Sequence, residues 1–264
     1  MLTLYAGDTS VCSQKVRLVL YEKGVPWEGV FIDLGKGEQF DPEYMKLNPN
    51  AVVPTLVDDG KVIIESTMIN EYLDDLYPEP PLRPADPYRR AQMRLWVKQL
   101  DDTIHEAINT ATFAIRQHES RSEQLSEEQK ARLAKTQKPE RRAKLRDIYM
   151  HGIGAERFAP DLKRLDKMLA DMEAALAEGP WLTGKDYSLA DAGFTPYVNR
   201  LNVLGLSGMW EGSRPQVADW FDRARARPNY KQAILDHDPA DKVAAMGAAG
   251  AKLWPEIEAR IGSS

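Results

Sequence analysis

The chain has 264 residues and a net charge of −5. That is long enough for one large or two modest domains with real cores, and the wrong sign of charge for general nucleic-acid binding. Hydrophobic residues make up 43% and charged residues 28%, the composition of an ordered globular protein, and a single Cys excludes an intrachain disulfide and a Cys-rich metal site.

A reducing, cytoplasmic location is expected from that lone Cys. The chain opens directly on a strand pattern with no basic-then-apolar leader. No apolar run approaches the length of a membrane span, so no membrane partner is expected.

Residues 1 to about 77 alternate element types. Leu2 to Tyr5 reads as a strand. Val11 to Lys23 reads as a helix stopped by Gly24, with Pro26 following. Trp27 to Leu34 is a second strand, and Pro42 to Leu47 a short helix ended by Asn48-Pro49. Val52 to Val57 is an apolar strand carrying Pro54. Asp59-Gly60 is a hairpin turn, and Lys61 to Ile64 returns as the last strand. Glu65-Ser66-Thr67 then leads into a helix with Ile69, Tyr72, Leu73 and Leu76 on one face. The order β-α-β-α-β-β-α predicts a four-stranded mixed sheet with helices on both faces, ending in an antiparallel hairpin.

Two places in this half stand out. Gly7 and the stretch Asp8 to Arg17 join the first strand to the first helix, with small hydroxyl residues at the helix start. Unpaired N–H groups there carry partial positive charge and favour an anion, including a thiolate. Pro54 is a misfit inside a central strand. An edge strand would explain it. With the β-α-β order before it, a cis-proline that exposes the Val53 backbone to an extended ligand is the preferred reading.

Tyr77 to Pro84 is a proline-rich linker. The expected division is residues 1–78, a linker over 79–85 and an all-helical region over 86–264. Asp86-Pro87 starts a long helix with Met93, Trp96, Val97, Leu100 and Ile104 as its stripe. Residues 119 to 150 are polar, with a basic cluster from Lys130 to Arg146 that reads as a solvated helical excursion. Phe158 to Leu176 is another amphipathic helix. Ser188 and Asp191, three apart, form a capping box before Phe194, Val198 and Leu201. Its role should be structural. Pro215 to Arg227 is a helix, and residues 240 to 261 form one or two more. Trp96, Trp181 and Trp220 read as core packing. None of His105, His118, His151 and His237 has metal-ligand spacing, so no metal is expected.

Ser10-Val11-Cys12-Ser13-Gln14-Lys15-Val16-Arg17, Leu47-Asn48-Pro49, Val53-Pro54, Glu65-Ser66 and the Ser188/Asp191 cap, in this order and spacing, resemble the cytosolic glutathione transferase superfamily. The resemblance covers nearly the whole chain. It implies a thioredoxin-like α/β N-terminal domain, an all-α C-terminal domain, glutathione as cosubstrate and a homodimer. By the same resemblance Val53, beside a cis-Pro54, pairs with the cysteinyl backbone of glutathione. Glu65 and Ser66 hold the γ-glutamyl end, and Gln39, with Lys36 nearby, meets the glycyl end. The Ser-x-Cys-Ser turn is similar to that of zeta-type transferases, where the first Ser activates. It is also similar to that of tetrachlorohydroquinone reductive dehalogenases, where the Cys acts. The polar excursion resembles that of glutathione-dependent β-etherases.

Three functional readings follow. In the first, Ser10 donates to the sulfur of bound glutathione, which attacks a hydrophobic, aromatic electrophile. In the second, Cys12 is itself the nucleophile in glutathione-linked thiol exchange. In the third, the fold persists as a non-catalytic binding protein. The complete set Ser10, Val53, Glu65 and Ser66 favours an enzyme, and the first reading leads.

Overall fold

The computed structural model describes residues 1–121, 124–136 and 138–261. Its sheet is built from β1 (Leu2–Ala6), β2 (Trp27–Phe31), β3 (Thr55–Asp58) and β4 (Lys61–Ile64), in the spatial order β2-β1-β3-β4. β1 pairs parallel with β2 and antiparallel with β3, and β3–β4 is the antiparallel hairpin. The expected mixed sheet is therefore present. Asp59 and Gly60 both take positive φ in the tight turn, the backbone that an Asp-Gly hairpin supplies.

Alternation sets the two faces. Leu2, Leu4 and Ala6 of β1 are buried; two helices pack together in this half, α1 (Val11–Lys23) and α3 (Ser66–Leu76). Tyr5, on the opposite face, joins Ile32, Leu34, Val53 and Tyr44 of α2 (Pro42–Leu47) in a separate apolar cluster. That cluster explains why β2 is shorter than the apolar run suggests. The backbone bonds persist to Ile32 N–H on Ala6 O at 3.0 Å, after which Ile32 and Leu34 turn in toward Tyr44. β3 begins only after Pro54, whose missing N–H cannot join the ladder.

Beyond residue 86 the described chain is helical: α4 (Pro87–Gln99), α5 (His105–Gln117), α6 (Glu127–Lys135), α7 (Pro139–His151), α8 (Phe158–Leu176), α9 (Leu189–Val203), α10 (Pro215–Ala226), α11 (Pro228–Ala233) and α12 (Ala240–Ile261). The long helix expected after Asp86 is interrupted. A wide π turn over Leu100–Ile104 separates α4 from α5. The polar excursion forms α6 and α7, and part of it, residues 122, 123 and 137, lies outside the described residues. Ser126 and Gln129 close a reciprocal capping box at α6. Residues 240–261 form one helix despite Pro255.

The chain gathers into two compact units. One comprises residues 1–101, 174–198 and 216–240; the other 102–173, 199–215 and 241–264. In the first unit, Asp191 is wholly buried and its carboxylate accepts from Leu182 N (3.0 Å), Ser188 N (3.0 Å), Ser188 Oγ (3.0 Å) and Trp220 Nε1 (2.9 Å). Ser188 Oγ in turn accepts from Ala190 N at 3.3 Å. The cap foreseen between Ser188 and Asp191 thus exists, with Leu182 and Trp220 recruited to it. Burial pushes the Asp191 carboxyl up, and the four donors hold it down. Trp220 is a core residue, while Trp96 and Trp181 are half-buried and pack edge-on against Phe194 and Tyr187.

Asp191→Ala strands four buried donors, from three residues, at once. It should cost roughly 3–5 kcal/mol in denaturant unfolding, against about 1 kcal/mol for Ser188→Ala. Equal costs would show that the cap alone matters and the Trp220 and Leu182 bonds do not.

Candidate functional site

Strand register assembles the site. Tyr5 is opposite Thr55, and Thr55 is opposite Ile64. Because β3 runs against β1 and β4, the residues after β1, before β3 and after β4 emerge at one edge of the sheet. These are the Gly7–Ser10 turn, Val53-Pro54 and Glu65-Ser66. β2 is parallel to β1, so the segment carrying Gln39 leaves at the same edge. Residues as distant in sequence as Ser10, Gln39, Val53 and Ser66 share one neighbourhood for that reason.

The turn before α1 is held from three sides. Ser10 is the N-cap, in extended conformation, and its hydroxyl oxygen accepts from Ser13 N at 3.3 Å. Using the oxygen as acceptor leaves the Ser10 O–H as a donor. Ser13, fully buried, accepts from Gly7 N at 3.2 Å. Beneath, the Arg17 guanidinium donates to Gly7 O (3.0 Å), Asp8 O (2.8 Å) and Ala233 O (2.7 Å). Arg17 is 1% exposed, and burial lowers its pKa to about 10, so it remains a cation at neutral pH. At Gly7 a side chain would be tight: a Cβ there would lie 3.1 Å from the Leu34 side chain, which would have to shift.

Cys12 is a half-buried thiol, in no disulfide, in the first turn of α1. The hydroxyl of Tyr197, on α9, hydrogen-bonds to it. Burial raises the Tyr197 phenol well above its ordinary value, and the neighbouring Cys12 and Asp101 add to that. Tyr197 is therefore a proton-holding donor beside Cys12.

The segment before β3 is fixed by two side chains of the α2 region. Tyr44 Oη donates to Val52 O at 2.6 Å and meets Thr55 Oγ1 at 2.9 Å. Asn48 Nδ2 reaches the same two oxygens at 3.0 and 3.1 Å. Asn48 is 1% exposed, which gives the Leu47-Asn48-Pro49 motif a physical role. The Val53–Pro54 peptide is cis.

At the third corner Glu65 caps α3 with a φ of 68°, a left-handed backbone that is costly for a residue with a side chain. Its side chain is exposed, and Ser66 opens the helix, buried. Behind them Lys15 Nζ donates to Thr67 Oγ1 at 3.0 Å, and Thr67 Oγ1 to Asp101 Oδ1 at 3.0 Å. Gln39 is 6% exposed and its Oε1 has no partner among the described residues, which leaves an acceptor available to a bound group. Lys36 is instead exposed and pairs with Asp33 at 3.4 Å.

The sequence pointed to Ser10, Cys12, Gln39, Val53, Pro54, Glu65 and Ser66 but not to Lys15, Arg17, Tyr44, Thr67, Asp101 or Tyr197. One signal was present: Gln14, Lys15 and Arg17 interrupt an otherwise apolar helix. All three are buried, and polar groups so placed are usually committed to a partner. Among the described residues no group of three His, Cys, Asp or Glu side chains could hold a metal ion, and no helix is long and apolar enough to cross a membrane.

Comparison with known proteins adds to this geometry. Residues 9–76 match the family model of the glutathione S-transferase N-terminal domain, and residues 139–223 that of the C-terminal domain. Protein LigF of Sphingobium sp. strain SYK-6 is 35% identical over 237 residues, covering 88% of this chain and 92% of that protein. The crystal structure of β-etherase LigF superposes with a TM-score of 0.78 at 34% identity, over 88% of this chain and 98% of that one. A tetrachloro-p-hydroquinone reductive dehalogenase of Sphingobium chlorophenolicum is 30% identical over 244 residues, 88% of this chain and 95% of that protein. Glutathione S-transferase Z1 of Arabidopsis thaliana is 47% identical over 90 residues, 34% of this chain and 41% of that protein.

Arg17→Met removes the donors of three backbone carbonyls. It should lower stability by roughly 3 kcal/mol and speed hydrogen exchange of the Ser10–Ser13 amides relative to the sheet. Unchanged protection of those amides would show that the turn holds without the guanidinium.

Proposed function

The chain belongs to the glutathione S-transferase family, and on that premise we propose that Ser10 activates the glutathione thiol for attack on a hydrophobic aromatic ether. That the protein is a glutathione-dependent enzyme follows from the family; the substrate and the residue roles are our reading. The observation that carries it is the state of the Ser10 hydroxyl. Its oxygen is occupied by Ser13 N at 3.3 Å, which leaves the proton to donate toward the sheet edge.

In this reading Val53 aligns the cysteinyl backbone, Glu65 accepts from the γ-glutamyl ammonium and Ser66 donates to its carboxylate. Gln39 meets the glycyl end with its buried amide. Ser10 and the N–H groups at the start of α1 stabilise the thiolate. The sulfur forms a bond to the carbon that carries the aryl ether oxygen as the C–O bond breaks, and a phenolate leaves. β-Aryl ether cleavage is favoured by the full-length likeness to a β-etherase; dehalogenation is the second arm. The 1–78 portion acts as the glutathione-binding module, and the enzyme works as a cytoplasmic homodimer in aromatic catabolism or detoxification.

A second reading rests on the Tyr197 hydrogen bond to Cys12, which would stabilise a Cys12 thiolate for exchange with glutathione. The two readings part on mutation. Ser10→Ala should lower turnover of an aryl ether about 100-fold while the protein still binds immobilised glutathione, and Cys12→Ser should leave turnover within about threefold. The opposite pattern, with a glutathione adduct on Cys12 by intact mass, would assign the chemistry to the cysteine. Because Ser10 also caps α1, Ser10→Asp is the control: it keeps the cap without a hydroxyl donor and should be as slow as Ser10→Ala.

A further inference from the structure

Lys15 lies one turn into α1 and is 1% exposed. Its ammonium is not spent on a close ion pair. It donates to Thr67 Oγ1 at 3.0 Å and stands 3.9 Å from Asp101 Oδ1. Thr67 is itself 4% exposed and passes the contact on to Asp101, whose side chain is 47% exposed. The acid is therefore largely hydrated, whereas the ammonium is dry. Asn70, one turn further along α3, is 3% exposed and its Oδ1 has no partner among the described residues; it lines the same small cavity as Lys15, Thr67 and Glu71, and Glu71 is engaged by Arg83 and Arg94.

Placing a dry cation beside the first turn of α3 works against folding. The start of a helix already carries partial positive charge, and desolvating an ammonium costs more than a hydrated acid returns. An apolar side chain would fill the space without that cost. What the charge does is place a buried cation one residue from Ser66, offset only in part by the hydrated Asp101 carboxylate 3.9 Å away. An anion at the α3 N-terminus would be held by Ser66 and sense Lys15 through the protein.

We propose that Lys15 is a positioning and selectivity residue of the glutathione site, supplying from behind Ser66 the fixed positive charge that selects a thiol peptide bearing the γ-glutamyl carboxylate. Lys15 does not touch the ligand. It acts through its field. The proposal rests on the glutathione reading above.

The test compares glutathione with its analogue lacking the γ-glutamyl α-carboxylate, 4-aminobutyryl-cysteinylglycine, by calorimetry and by steady-state kinetics. The wild type should prefer glutathione strongly. Lys15→Met should weaken glutathione binding and raise its KM roughly tenfold or more, with the affinity for the analogue nearly unchanged. The preference then collapses, while kcat at saturation stays within about threefold. Melting temperature should hold or rise, because Thr67 keeps its bond to Asp101 and no buried charge is stranded. Lys15→Gln, which keeps a polar donor but no charge, should behave in the same way and serves if the Met variant does not fold. Lys15→Arg should retain most of the preference. A merely structural lysine predicts a lower melting temperature with both ligands weakened equally, and that result overturns the proposal. Wild type that binds neither ligand overturns the glutathione reading and the proposal together. Wild type that binds glutathione, with an unchanged preference in the variants, overturns the proposal alone.

Discussion

Arg17 is the constraint on which the rest depends. A guanidinium has five donors in a rigid fork, and this one spends its bonds on three backbone carbonyls: Gly7, Asp8 and Ala233. Two of them belong to the turn that delivers Ser10 to the head of α1; the third belongs to α11, far along the chain. The turn is thereby fixed by main-chain contacts that no side-chain change within it can remove. Gly7 adds to the constraint, since a side chain there would press on Leu34.

The surroundings invert the protein's overall electrostatics. The chain carries a net charge of −5, yet the sheet edge gathers two helix N-termini backed by two buried cations, Arg17 and Lys15. Long-range repulsion between a net anion and an anionic thiol is weak and screened, whereas buried charges and aligned N–H groups act at short range in a region that excludes water. On the reading proposed above, the short-range charges outweigh the net charge for a thiolate and a carboxylate. The bonded geometry serves the same end. The strained backbone of Glu65 turns the chain so that Ser66 opens α3, and Tyr44 and Asn48 grip the Val52 carbonyl so that Val53 is held at a fixed place ahead of β3. Strain at a residue of this kind is usually retained because the site needs it.

Asp191 plays a comparable part away from the chemistry. One buried carboxylate collects donors from a loop, its own helix start and α10. A cap that links three segments does more than begin a helix, and the raised carboxyl pKa measures the burial it endures to do so.

The sequence by itself determined the element order, the hairpin at Asp59-Gly60 and the Ser188/Asp191 cap, because these are set by local periodicity, turn chemistry and short spacings; the residues at the sheet edge were legible only through the family resemblance. Its element limits failed where a neighbour intervened: β2 ends early because Ile32 and Leu34 are drawn to Tyr44, and α4 stops at a π turn that nothing in its apolar stripe announces. What lies behind the site was decided only by tertiary structure. Gln14, Lys15 and Arg17 read along the chain only as polar interruptions of the apolar run in α1. They are buried because each finds a partner far away in sequence: Asp238, Thr67 and Ala233. Tyr197 reads as one more apolar residue of α9 until folding brings its hydroxyl to Cys12. A buried polar group is tolerable only with such a partner, and local pattern cannot say which distant residue will provide it.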